Sequence, residues 1–65
     1  MNYDAQITLE SGRELQRVFE TEDDLEEFLD RICDDKRWRG SRLYVASTGA
    51  DYVIDSGYWE ELTSE

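Results

Sequence analysis

Two hydrophobic periods divide this chain, and each admits one kind of element. From Tyr3 to Glu10 the apolar residues alternate: Tyr3, Ala5, Ile7 and Leu9 fall on one side, Asp4, Gln6, Thr8 and Glu10 on the other. A period of two belongs to a strand with one buried face. From Leu25 the period changes. Leu25, Phe28, Leu29, Ile32 and Cys33 stand at i, i+3, i+4, i+7 and i+8, the single apolar stripe of a surface helix. A chain of 65 residues that must satisfy both periods has room for one core, between a sheet and a helix.

The punctuation supports this division. Ser11-Gly12 reads as a hairpin turn, and residues 13–20 continue as a second strand with Leu15 and Phe19 inward. Val18 breaks that alternation and points to a bulge or a second covered face. Thr21 reads as a helix N-cap, with Asp24 three residues on in place of the longer glutamate of a full capping box. The helix should end near Asp35, where Lys36 and Arg37 suit its negative end, and Gly40 closes the connection. Residues 42–47 and 51–55 read as two further strands around a Thr48-Gly49-Ala50 turn. Residues 58–62 fit either a fifth strand or a helical turn. The expectation is one α+β domain over residues 1–65, with a ββαββ order and an antiparallel sheet carrying one amphipathic helix on one face. The expected core is Ile7, Leu9, Leu15, Phe19, Leu25, Phe28, Leu29, Ile32, Val45 and Ile54. Strand order is not readable from these signals.

Composition limits what such a domain does. At about 60 residues a chain buries only ~60% of the surface it exposes when unfolded. Hydrophobic residues make up 38% and charged residues 37%, values that approach those of disordered chains. The apolar residues are nevertheless patterned, and there is no proline. No run of apolar residues is long enough for a transmembrane helix, and no basic start precedes an apolar stretch as in a signal peptide. A single cysteine makes no internal disulfide, which fits a cytoplasmic setting. Most enzyme chemistries lack parts. There is no histidine to serve as general base or metal ligand, no zinc spacing and no Gly-rich phosphate loop before a helix. Cys33 lies on the apolar stripe, where a cysteine acts as a small hydrophobe. The acids of residues 22–30 sit on the expected helix rather than in a glycine-bearing calcium loop. The expectation is a protein without catalytic residues, metal or cofactor.

Charge is the most informative feature. The net charge is −10, distributed as −8 over residues 1–30, +3 over residues 31–42 and −5 over residues 43–65. Residues 20–35 hold nine acids and one base. Such a surface repels nucleic acid and anionic membranes and speeds encounter with basic proteins. The basic interval surrounds Trp38. Three roles suit it: nucleic-acid contact, which the overall field opposes, an anchor in a protein interface, or a ring at the core edge beside helix-capping bases. On a helical wheel of ~100° per residue, Asp23, Glu26, Glu27, Asp30 and Asp34 share one outward stripe. The pairs Asp23–Glu27, Glu26–Asp30 and Asp30–Asp34 are like charges at i, i+4, each costing ~0.2–0.5 kcal/mol. A merely solubilising face would mix acids with lysines in stabilising pairs. Carboxylates at i and i+4 are separated by ~6 Å of helix rise, close to two nucleotide steps of ~3.4 Å along one strand. The array therefore suits imitation of phosphates. Asp23, Glu26, Glu27, Asp30 and Asp34 would stand for phosphates, with Glu20 and Asp24 at the rim. Asp51 and Asp55 would extend the array from the sheet edge, and Trp38 or Tyr44 would supply short-range contact.

The small size, the strong acidity and the run Glu20-Thr21-Glu22-Asp23-Asp24-Leu25-Glu26-Glu27-Phe28-Leu29-Asp30 resemble the small acidic phage-encoded inhibitors of host DNA-binding defence proteins. That group includes anti-CRISPR and other DNA-mimic inhibitors. The resemblance is one of character over the whole chain, without a diagnostic motif. It implies a monomer in the host bacterial cytoplasm that blocks target-DNA binding by occupying a cationic groove. Its partner would be a basic nucleic-acid-binding protein such as a Cas subunit, with no nucleic acid or membrane bound directly. The competing expectation is an acidic interaction or regulatory module whose exposed aromatic residues bind a partner while the acids only keep it soluble.

Overall fold

A computed structural model describes residues 2–62 of the chain. Tyr3–Thr8 (β1) and Glu14–Phe19 (β2) form the first hairpin, in an unbroken antiparallel register from Tyr3↔Phe19 to Thr8↔Glu14. Val18 creates neither a bulge nor a second covered face. It occupies a regular ladder position and is 58% exposed.

The chain then enters α1, Glu22–Ile32. Thr21 is extended, and its hydroxyl accepts the Asp24 amide at 3.1 Å, satisfying one of the helix's free N–H groups. The helix stops earlier than Asp35. Asp34 and Asp35 would stack negative charge on its negative end, and Asp35 instead starts a 3-10 turn, Lys36–Trp38. Its carboxylate accepts the Arg37 amide at 3.0 Å and pairs with the Arg37 guanidinium at 2.8 Å. Arg37 thus neutralises Asp35 rather than capping α1. The Asp35 carboxyl is held below its ordinary value, chiefly by the Arg37 side-chain hydrogen bond and then by the Arg37 amide.

Arg42–Val45 (β3), Ala50–Ile54 (β4) and Trp59–Leu62 (β5) complete the fold. Residues 59–62 are a strand, so the element order is ββαβββ rather than ββαββ. The sheet order is β2-β1-β3-β4-β5, with every neighbouring pair antiparallel. β2 and β3 both run against β1 and are therefore parallel to each other. A tight turn cannot connect parallel strands, so the chain crosses from β2 to β3 through α1.

The crossing buries one face of the sheet. Ala5, Ile7, Leu43, Val45, Tyr52 and Ile54 meet Leu25, Leu29, Ile32 and Cys33 in one cluster. All ten residues expected in the core lie in it or pack against it, though Leu9, Leu15, Phe19 and Phe28 are only partly buried. On the β2 side Phe28 stacks between Phe19 (centroids 5.1 Å) and Trp38 (5.7 Å, edge-on). The other sheet face is uncovered and carries Gln6, Gln16, Tyr44 and Asp51 in one row across the strands.

Gly40 shows how tightly the crossing is fitted. Its φ is +81°, and a Cβ there would meet the Glu10 carboxylate. Its amide donates to the Ile54 carbonyl at 2.9 Å. Gly40→Ala is expected to cost about 1–2 kcal/mol, the left-handed penalty of a residue with a side chain. Glu10 can swing away, so adding Glu10→Ala should recover little of that loss in a urea titration.

Candidate functional site

The register sets the two ends of the molecule apart. The Tyr3↔Phe19, Val45↔Ala50 and Asp51↔Leu62 pairs lie at one end. The N-terminus of α1 follows directly from Phe19 at this same end. The segments meeting there, residues 20–26, 46–50 and 61–62, carry Glu20, Glu22, Asp23, Asp24, Glu26 and Glu61 and contain no lysine or arginine. The opposite end holds the β1–β2 turn, the 3-10 turn, the start of β3 and the β4–β5 turn, and is mixed in charge, with Arg13, Lys36, Arg37, Arg39 and Arg42 beside Glu10, Asp34, Asp35 and Asp55. The helix dipole runs between these ends and favours acids in its first turn by ~0.3–1 kcal/mol each.

The structure divides the expected stripe. Asp23, Asp24 and Glu26 are exposed on α1, with Glu20 exposed just before its start. Glu27 is exposed but paired with Arg31 at 3.1 Å. Asp30 accepts a 2.7 Å hydrogen bond from the Trp59 indole N–H. Asp34 lies beyond the end of α1 rather than on its wheel.

Asp51 sits on the uncovered sheet face opposite Tyr44. Asp55 is in the β4–β5 turn at the far end, away from the helix N-terminus. Its carboxyl is held below its ordinary value by the Ser56 amide, at 2.8 Å, and by the Tyr58 hydroxyl. A depressed carboxyl stabilises the fold above its unfolded titration point, and that contribution is lost as pH falls through the folded value. Tyr58→Phe should move the Asp55 titration upward in an NMR pH series, while Asp35 should stay in place.

The two expected anchors differ. Tyr44 is exposed on the open face, whereas Trp38 is half-buried against Phe28 and forms the core edge. Cys33 is buried, and its thiol donates to the Asp30 carbonyl at 3.1 Å. Burial pushes the thiol up, with the Asp34 and Asp30 charges adding to the effect, so the thiolate needed of a nucleophile is disfavoured.

Sequence patterns did not locate the cleft beside the acidic end. Between α1 and the β4–β5 edge lies a space of about 420 Å³. Tyr3, Tyr52 and Trp59 line it together with Glu22, Glu26 and Glu61. Tyr52 and Trp59 meet edge-on, with centroids 5.7 Å apart, and the Asp30 bond fixes the indole. Asp30→Ala should release the Trp59 ring at a cost of about 1 kcal/mol. Faster exchange of the indole N–H would report this, while the Trp38 indole stays unchanged.

Among the described residues no group of three His, Cys, Asp or Glu side chains is placed to hold a metal ion, and no helix is long and apolar enough to cross a membrane. No family model matches the chain, and neither a curated protein nor a solved structure matches it.

Proposed function

We propose that the protein is a non-enzymatic inhibitor that occupies a cationic nucleic-acid-binding groove of a protein partner. Its docking surface is the end built around the N-terminus of α1. The observation that carries this proposal is the gathering of acids without bases at one end of the fold. Glu20, Glu22, Asp23, Asp24, Glu26 and Glu61 gather where residues 20–26, 46–50 and 61–62 meet, without a base among them. Helix stability accounts for acids in the first turn but not for the like-charge pair Glu22–Glu26 at i, i+4. A rigid helix holds Glu22 and Glu26 ~6 Å apart along its axis, a spacing suited to lysines and arginines that otherwise contact phosphates. A charged pole also speeds capture of a basic partner. By its resemblance to DNA-mimic inhibitors, the partner is a DNA-binding subunit of a host defence complex, in the manner of an anti-CRISPR protein.

The uncovered sheet face favours a second reading. There Tyr44 and Leu62 are 43% and 40% exposed and would anchor a partner largely without charge. Salt separates the two readings. The partner is captured from bacterial lysate and purified, and its affinity is measured at about 50 and 200 mM salt, where screening lengths differ roughly twofold. The inhibitor reading expects at least a tenfold loss of affinity across that interval and displacement by duplex DNA. Salt-insensitive binding that DNA leaves untouched would support the aromatic face instead.

A further inference from the structure

The cleft between α1 and the β4–β5 edge has features that an acidic surface does not require. Its volume of about 420 Å³ lies in the ~300–1,000 Å³ range of small-ligand sites. Its walls combine two kinds of group. Tyr3, Tyr52 and Trp59 supply aromatic surface, and Glu22, Glu26 and Glu61 supply negative charge. These residues come from four separate elements: β1, α1, β4 and β5.

Tyr52 is 93% buried, being 7% exposed, yet it lines the cleft. No hydrogen bond ties its hydroxyl to the described residues, and the hydroxyl is not enclosed but open to solvent at the cleft, whereas the neighbouring Trp59 indole is bound to Asp30. Burial raises the Tyr52 phenol's titration point, and the charges of Glu61, Glu22 and Glu26 add to the rise. All three carboxylates therefore act on this one ring.

We infer that this cleft binds the guanidinium group of an arginine side chain. Aromatic faces attract organic cations through their negative quadrupole, and a carboxylate lining supplies the counter-charge. Arginine suits the site better than lysine. Its planar group stacks on rings and distributes five N–H donors among several acceptors, and it is less strongly hydrated than an ammonium. The Tyr52 hydroxyl offers a neutral acceptor within the same space. The Asp30 bond orients the indole before any ligand arrives, which lowers the ordering cost of binding. The assignment deepens the proposed function and rests on it for one point only, that the arginine is presented by the partner's groove.

The test uses the whole protein with Trp38→Phe, so that Trp59 alone reports by fluorescence, and with indole N–H shifts as a second readout. The probes are three short blocked peptides identical except for one central residue: arginine, lysine or the uncharged isostere citrulline. Saturable binding of the arginine peptide is expected, at least severalfold tighter than that of the lysine peptide and absent for citrulline. The Glu26→Gln/Glu61→Gln double variant should weaken arginine binding about tenfold or more, the equivalent of ~1.4 kcal/mol. Its circular dichroism should be unchanged, because both positions are exposed. Equal response to citrulline, equal affinity for lysine, or arginine binding unaffected by the double variant would each overturn the assignment.

Failure of the broader proposal reads out separately. If the arginine peptide binds the cleft but partner affinity ignores both salt and the double variant, the cleft stands and the groove-occupying function falls. If partner affinity depends steeply on salt while the arginine peptide leaves Trp59 unchanged, the function stands and the cleft assignment falls.

Discussion

Leu29→Ala is expected to lower the melting temperature by roughly 15 °C or more. Leu29 is fully buried where α1 crosses the sheet, among Ala5, Ile7, Leu43 and Val45 in the core cluster. Removing such a side chain costs about 2–5 kcal/mol, from lost transfer free energy and the cavity left behind. A domain of this size is expected to hold about 3–10 kcal/mol in all, and each kcal/mol shifts the midpoint by ~4–8 °C. The sheet has only one covered face, so no second layer compensates. Val18→Thr is the matching control. That residue is 58% exposed on the edge strand and should change stability by less than ~0.5 kcal/mol. Calorimetry that places the two variants within two or three degrees of each other, an interval of roughly half a kcal/mol, would contradict this packing.

The second large effect concerns binding. Neutralising two exposed acids of the docking end outside the cleft, as Glu20→Gln and Asp23→Asn together, should weaken capture of the basic partner by roughly thirtyfold at low salt. Two exposed charge contacts of up to ~1 kcal/mol each account for that figure. Stability should stay within about 1 kcal/mol of the parent. Removing Asp23 forfeits ~0.3–1 kcal/mol of dipole stabilisation, while the Asp23–Glu27 repulsion of ~0.2–0.5 kcal/mol disappears. Function and fold are therefore expected to separate: the variant stays folded, with a midpoint within ~8 °C of the parent's, and binds far more weakly. Undiminished binding would leave these acids as a solvated face.

Local chemistry was enough to place most elements. The alternation of Tyr3, Ala5, Ile7 and Leu9 and the helical stripe from Leu25 to Cys33 each commit a face to the core. Thr21 caps α1 as its side chain requires, and the turns fall at glycines with positive φ. Two local expectations failed, each for its own reason. Asp35 caps the following turn and pairs with Arg37, so α1 ends at Ile32. Val18 lies on a face that nothing covers, and a break in alternation cannot show whether a second layer exists.

What the candidate site depends on most was decided only in three dimensions. Residues 58–62 carry no strong period of their own, and they become a strand by pairing with β4. That pairing sets Trp59 beside Asp30, which is 29 residues away in the chain. It also brings Glu61 to Glu22 and Glu26 across the cleft. The helical wheel showed Asp30 as one acid of a uniform stripe, because a wheel describes α1 alone and is blind to the strand beside it. Net charge and the helical and strand periods are properties of the sequence by itself, since each arises within a few residues or by addition. Which acids stay free, which are tied to a partner and which line a cavity follow from strand order. That order is settled by the shared burial of Ile7, Leu29, Leu43 and Ile54, side chains from β1, α1, β3 and β4 that meet only when the whole chain is folded.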